Sequence, residues 1–304
     1  MDAVIDVGSN SVRLMLDRGM KVNQKQINTT CLAEGLANTG RLGGEAMERT
    51  KAAIADFVRA ARLEKADNIY IFATEAVRSA QNGEEFRRDV ENAVALPVRV
   101  ISGDSEAKLG LLGAIDGNHG EITVVDIGGA SVEVVRGDRK KLTYARSLPL
   151  GVVRLRDLTG DRREDIEKYV GSHVADFGFV SGFEGVAIGG TATTLAAMDL
   201  RQTRYDASAV HGHVLSVRAI DNLVEEIFAS TDRRRDFPVL SERRAKVIGH
   251  GAIMLRALVE YLGLEDGVKV YCFTRVRNVD NEPLILETSY YPQHIYPNLT
   301  REML

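Results

Sequence analysis

The chain has 304 residues, enough for two domains of about 150 residues each, with 44% hydrophobic and 27% charged side chains. That composition excludes wholesale disorder, collagen-like repeats and a disulfide scaffold. A net charge of −4 gives no basic excess, so no nucleic-acid partner is expected, while a local cationic cleft for an anionic substrate stays open.

In chain order, Met1 to Asp6 is acidic and interrupted by charge, unlike a signal peptide, and no later stretch approaches the ~20 apolar residues of a membrane span. A cytoplasmic location away from membranes is expected. Ala3–Val7 reads as a strand running into the turn Gly8-Ser9-Asn10, followed by strands at Val12–Leu16 and 21–32, an antiparallel opening. A periodic apolar face predicts a helix over 44–62. Ile69–Phe72 is a strand leading into Ala73–Arg78, then a helix at 83–93, a strand at 98–101 and a helix at 103–115 that Asp104 or Ser105 would cap. Cys31 and Cys272 stand far apart, without metal or redox spacing, and read as ordinary thiols in a reducing compartment.

Asp116–Gly120 is a turn-rich break that divides the chain into domains 1–117 and 118–304. The opening then repeats: Val4–Val12 aligns with Val124–Val132 at a constant offset of 120 residues. Strands are expected at 122–127, 132–136, 140–147 and 185–188, and helices near 163–176, 191–198, 217–229 and 241–262, with Val268–Phe273 strand-like. Each half thus offers an aspartate at a strand end followed by a turn of small residues.

Such turns expose backbone N–H groups that can line up on phosphate oxygens. Gly8, Ser9, Asn10 and Ser11 form the first turn, and Gly128, Gly129, Ala130 and Ser131 the second. Gly189, Gly190 and Thr191 open a helix, whose N-terminus is itself suited to anions. A lone turn of this kind is usually a plain hairpin; two copies plus the third turn point to phosphate. Asp6 and Asp126 supply carboxylates suited to Mg²⁺, water or acid catalysis, and Glu133 follows Ser131 on one strand face.

The stretches AVIDVGSNSVRLML (3–16), EGLANTGRL (34–42), IFATEAVRSAQNGEEF (71–86), VISGDSEAKLGLLGA (100–114), TVVDIGGASVEVV (123–135), LPLGVVRL (148–155), AIGGTATTLAA (187–197), VHGHVLS (210–216) and LSERRAKVIGHGAIML (240–255) resemble, in order and spacing, the exopolyphosphatase/guanosine pentaphosphate phosphohydrolase (Ppx/GppA) family. The resemblance covers residues 3 to about 268. It implies an α/β fold of two ribonuclease-H-like domains around a central cleft, within the actin, heat-shock chaperone and sugar kinase superfamily. The implied activity is Mg²⁺-dependent hydrolysis of the terminal phosphate of inorganic polyphosphate, or of pppGpp to ppGpp.

On that resemblance Glu106 is the base that activates water, Arg78 stabilises the transferring phosphoryl group and Asp6 is the third catalytic residue, with Mg²⁺ near Asp126 and Glu133. Read alone, Glu106 is only a first-turn glutamate that suits the helix dipole, and Arg78 a surface arginine. Arg13 and Lys108 offer positive field to a polyanion or, as the plainer reading, surface ion pairs. His211 and His213 have metal-pair spacing but no third ligand nearby and read as structural; Arg233–Arg235 would either reach a polyphosphate tail or, flanked by acids, form a solvated loop. The sequence departs from the family's usual pattern at Ser105, often Glu, at Glu75, often small or polar, and at Ala130, usually Gly. At Ala130 a Cβ would narrow the phosphate approach if φ were positive.

Beyond about residue 268 the family's Asp-x-Gly-Leu-Arg-Glu-Gly ending is replaced. FTRVRNVDNEPLILETSYYPQHIYPNL (273–299) alternates like a β-hairpin and resembles part of the effector domain of GntR-type regulators. Its apolar strands would support a homodimer through a sheet edge. The absence of a long C-terminal extension favours polyphosphate over pppGpp. A third reading, a non-catalytic polyphosphate or alarmone sensor, rests on Ala130, Ser105 and the tail.

Overall fold

The structure is a computed structural model and describes residues 1–17, 24–115, 120–138, 140–178, 185–264, 267–270, 276–279 and 282–286. The first half contains β1 (Asp2–Val7), β2 (Val12–Asp17), β3 (Gln24–Asn28), α1 (Leu36–Thr39), α2 (Gly44–Leu63), β4 (Asn68–Ala73), α3 (Glu75–Ser79), α4 (Gly83–Val94), β5 (Val98–Val100) and α5 (Gly103–Ala114). The second contains β6 (Ile122–Ile127), β7 (Val132–Gly137), β8 (Leu142–Leu148), α6 (Val152–Thr159), α7 (Arg163–His173), β9 (Gly185–Ile188), α8 (Gly189–Asp199), α9 (Ala207–Val210), β10 (His213–Leu215), α10 (Val217–Ala229), α11 (Arg233–Asp236), α12 (Glu242–Tyr261) and β11 (Val268–Val270).

Two mixed sheets result. The first runs β3-β2-β1-β4-β5 and the second β10-β11-β9-β6-β7-β8. In each, the opening three strands are antiparallel; β4 and β5 then extend the first sheet in parallel and β9 and β11 the second, as their helical crossovers require, while β10 lies antiparallel to β11 at the edge. The repeat in the sequence is therefore a structural repeat, and the expected pair of α/β, ribonuclease-H-like lobes is present. The register repeats too: Asp6 faces Arg13 across β1–β2, and Asp126 faces Glu133 across β6–β7.

The helix α5 departs from the sequence division. Its buried face, Ala107, Leu111 and Ala114, packs with Ile115 on Ile122, Val124, Val135, Val186 and Ile188 of the second sheet. A helix counted with the first domain thus covers the second sheet, because its small apolar face fits that sheet's outer surface. Residues 116–119, within the expected break, lie outside the described residues. The cap of α5 also differs from expectation: Ser102, not Asp104 or Ser105, accepts the Ser105 N–H at 3.2 Å.

Three further differences are local. The helix α6 is not evident in the sequence, since Gly151, two valines and a short span hide it. The helix expected from 191 begins at Gly189, which adopts φ 82°. Of the described part of the strand expected at 21–32, Gln24–Asn28 is a strand and residues 29–32 are not, while residues 18–23 lie outside the described residues. The expected C-terminal hairpin is present as β12 (Val276–Val279) and β13 (Glu282–Leu286), antiparallel, while the turn at 280–281, Cys272 and residues 287–304 lie outside the described residues. Among the described residues no helix is long and apolar enough to cross a membrane.

Candidate active site

The site grows out of the two repeated turns. In the first, the Gly8 N–H donates to the Ser11 carbonyl at 3.1 Å; in the second, the Gly128 N–H donates to the Ser131 carbonyl at 3.0 Å. The turns abut each other. A Cβ at Gly129 would lie 2.9 Å from Ser9 Cβ and 3.0 Å from the Asn10 nitrogen, so glycine is what lets the lobes meet there. The Gly128 and Gly129 carbonyls accept N–H groups of Val152, Val153 and Arg154. They thereby cap the start of α6 and leave the opposite side of the turn to the cleft.

A cavity of about 80 Å³ opens at this junction, larger than the 10–15 Å³ that admits one water. It is lined by Asp6, Gly8, Ser9, Asn10, Ser11, Glu106, Asp126, Gly128, Gly129, Ser131, Glu133, Gly190 and Thr191 among the site residues expected from the sequence, by Arg13, which pairs with Asp6 at the cavity rather than on the outer surface, and by Thr74, Ile127, Val152 and Arg244 besides. Arg78, Ala130 and Gly189 do not line it. Ala130 is 1% exposed, belongs to the core, and is not among the residues with positive φ. Its methyl group therefore does not narrow the phosphate approach. Thr191 spends its hydroxyl on the Ile127 carbonyl at 2.9 Å, which docks α8 onto the end of β6.

Four carboxyl groups face this small space. Asp6 pairs with Arg13 at 3.1 Å. Asp126 is raised in pKa chiefly by burial; Arg13 opposes that rise and the Asp6 charge adds to it. Glu133 is 4% exposed and accepts the Ser147 hydroxyl at 2.6 Å. Burial, and after it Asp126, raises its pKa against that hydrogen bond. Glu106 is pushed well above the usual carboxylate range, chiefly by burial and next by Glu133, with Arg78 pulling the other way.

Arg78 stands behind Glu106 rather than in the cavity. Its Nη2 lies 2.6 Å from Glu75 and 3.4 Å from Glu106, and its Nη1 donates to the Ile101 carbonyl. The sequence alone leaves Glu75 unassigned and gives no role to Arg244. The Arg244 guanidinium overhangs the start of α8, where a Cβ on Gly190 would come within 2.6 Å of it, and burial lowers its pKa to about 10. Position 244 could be found only from its place in α12, whose close approach to α8 needs Gly251 beside Thr191.

The remaining candidates lie elsewhere. His213 pairs with Asp199 at 2.6 Å on the surface of the second lobe. Arg233 is held by the Ile227 and Ala245 carbonyls, and Lys108 is exposed. Cys31 is a partly buried free thiol.

Among the described residues no three acidic, histidine or cysteine groups are gathered closely enough to hold a metal by themselves. The donor set still suits Mg²⁺. Asp126 and Glu133 offer hard oxygens to the cavity, and Mg²⁺ typically takes one or two carboxylates, keeps waters and shares substrate phosphates.

Comparison with known proteins identifies relatives of the whole fold. Residues 11–270 match the model of the Ppx/GppA phosphatase family, and residues 244–304 match that of the UTRA domain. Exopolyphosphatase 2 of Mycobacterium tuberculosis is 30% identical over 302 residues, covering 88% of this chain and 92% of that protein. The crystal structure of the Aquifex aeolicus Ppx/GppA family member is similar with a TM-score of 0.73 at 30% identity, over 89% of this chain and 92% of that one. An exopolyphosphatase-like protein of known structure gives a TM-score of 0.80 at 26% identity, over 89% of this chain and 94% of that one.

Proposed function

The chain belongs to the Ppx/GppA phosphatase family, and from that premise we propose that it is an exopolyphosphatase, a Mg²⁺-dependent phosphoanhydride hydrolase that removes the terminal phosphate of inorganic polyphosphate. The observation that carries this reading is the convergence of Glu106, the two amide-lined turns and the Asp126–Glu133 pair on one cavity.

The chemistry follows from what faces that cavity. The turns at 8–11 and 128–131 present N–H and hydroxyl donors to the oxygens of the chain end, and Arg13 and Arg244 add positive charge. Glu106, ionised, takes a proton from a water as its oxygen bonds to the terminal phosphorus, and the bond to the bridging oxygen breaks. The products are inorganic phosphate and a chain one unit shorter. Asp126 and Glu133 are the residues that would hold Mg²⁺, which when bound supplies positive charge to the phosphate oxygens. Arg78 keeps a positive charge beside Glu106 and so favours its ionised form.

The reading is supported by the name of the Mycobacterium tuberculosis relative, an exopolyphosphatase. Hydrolysis of pppGpp needs the same residues and differs only in the substrate beyond the reacting phosphate. The sensor reading loses one support, since Ala130 does not obstruct the site.

The deciding experiment measures phosphate release with Mg²⁺ from long polyphosphate, tripolyphosphate and pppGpp by the intact chain and by Glu106→Gln. Release from polyphosphate with the highest kcat/KM, falling about 10²–10⁴-fold in the variant while binding persists, is expected. Preference for pppGpp would establish the alternative substrate. Tight, salt-sensitive binding without release would establish a sensor.

A further inference from the structure

Glu75 joins the two lobes behind the cavity. It lies at the start of α3 in the first lobe and is 16% exposed. One oxygen accepts from the Arg78 Nη2 at 2.6 Å and from its Nε at 3.1 Å. The other lies 3.7 Å from the Arg154 Nη2, on α6 of the second lobe. Arg154 in turn donates its Nε to the Ala130 carbonyl at 3.1 Å and its backbone N–H to Gly129, both in the second phosphate-facing turn. The start of α6 is thereby fixed to that turn. Its far end is fixed to the first lobe, where the Asn38 amide donates to the Asp157 carbonyl at 3.0 Å.

The distances show what this arrangement does. An arginine facing a single carboxylate closes to a charge-assisted contact of about 2.7–2.9 Å, often bidentate. Arg78 faces two, and the near one is Glu75. Glu106 therefore receives only the 3.4–3.5 Å contacts. Both of these long contacts fall on Oε2, so the other oxygen of Glu106 is left by the guanidinium to a water in the cavity. Resting on the proposed phosphohydrolase reading, we infer that Glu75 is a positioning residue: it holds Arg78 away from a close pair with Glu106 and, through Arg154, ties that spacing to the docking of the second lobe's phosphate-facing turn.

Two measurements test this. The first is a crystal structure of the Glu75→Gln protein beside that of the unsubstituted chain. The Arg78–Glu106 contact is expected to shorten to about 2.7–2.9 Å; an unchanged separation overturns the inference whatever the substrate proves to be. The second is steady-state kinetics on polyphosphate. Glu75→Gln is expected to lower kcat about tenfold with KM nearly unchanged. Arg154→Met should lower kcat less, Arg154→Lys should retain most of it, and Arg154→Met should cost less in the Glu75→Gln background than alone, because the contact to Glu75 is already lost there and only the bond to the Ala130 carbonyl remains to be removed. An unaltered kcat, a loss confined to KM, or losses that multiply in the double variant would each overturn it. Where the unsubstituted chain turns over no substrate, the functional reading fails and the crystallographic distance still decides the inference.

Discussion

The two turns at the heart of the molecule share a backbone and differ in charge. Across β1–β2, Asp6 faces Arg13; across β6–β7, at positions 120 residues later, Asp126 faces Glu133. The same cross-strand slot therefore holds a paired carboxylate in one lobe and two carboxylates in the other. Like charges directly opposite each other are unfavourable in a sheet, and here both of them are raised in pKa by burial first. Duplication of a hairpin explains the matched geometry, and the identity of one cross-strand residue gives each copy its task. On the proposed reading, the first copy's Arg13 faces a polyanion and the second copy's Asp126 and Glu133 would hold the cation.

If this division is real, equivalent substitutions have unequal effects. Asp126→Asn removes a proposed Mg²⁺ ligand, and several kcal/mol of charge stabilisation correspond to a fall of about 10²–10³ in turnover. Asp6→Asn removes a partner of Arg13 and is expected to lower turnover only about tenfold, because one orienting contact is lost. Calorimetry should find Mg²⁺ binding weak to the free protein, stronger with a non-hydrolysed polyphosphate analogue, and reduced by Asp126→Asn alone. Equal losses of turnover in the two variants, or tight Mg²⁺ binding unaffected by either, would dissolve the distinction between the lobes.

The second test uses pH. Glu106 acts as a base only when ionised, and its pKa is raised by burial and then by Glu133. Turnover should therefore rise with pH through neutrality, above the range where an ordinary glutamate would already be ionised. Glu133→Gln removes the charge that, after burial, raises the Glu106 pKa most. Its residual activity, though lower, should reach half its plateau at a pH about one unit lower. A rise in activity at the same pH in both proteins would mean that another group sets the profile.

Much of this is legible in the sequence because it is carried by local pattern. The strand–turn units around Asp6 and Asp126 are adjacent residues, so their repeat and their convergence on phosphate chemistry can be read directly. The role of Arg78 cannot, since its distance from the cavity depends on Glu75 and on α6 from the other lobe. Arg244 is hidden for the same reason: it enters from α12, a separate helix far along the chain from the Gly190 that it overhangs. Ala130 misleads because its backbone angle, which decides whether a methyl group fits, is not written in the residue's name. Chain order puts the helix α5 in the first lobe, whereas its apolar face packs on the second sheet.

The smallest expected effect is on stability, and its sign separates the lobes most cleanly. Asp126 has a folded-state pKa above its unfolded value, so the native protein binds the proton more tightly than the unfolded chain does. Stability is then lost as pH rises from the unfolded value through the raised one. Replacing Asp126 by neutral asparagine removes that loss. At pH 8 the Asp126→Asn protein should match or exceed the unsubstituted chain, by about 1.4 kcal/mol for each tenfold difference in proton affinity removed and thus about 3–6 °C in Tm. Near pH 4 the gain should vanish. Asp6→Asn runs the other way, since it leaves Arg13 without its 3.1 Å partner at the cavity, where both side chains are partly exposed and the pair is worth up to about 1 kcal/mol. Its Tm at pH 8 should fall slightly. Thermal melts of the two proteins at pH 5 and pH 8, without Mg²⁺, test this directly. A larger Tm loss at pH 8 for Asp126→Asn than for Asp6→Asn would show that Asp126 stabilises the fold, and that the second turn is not held in an electrostatically unfavourable state by its two facing carboxylates.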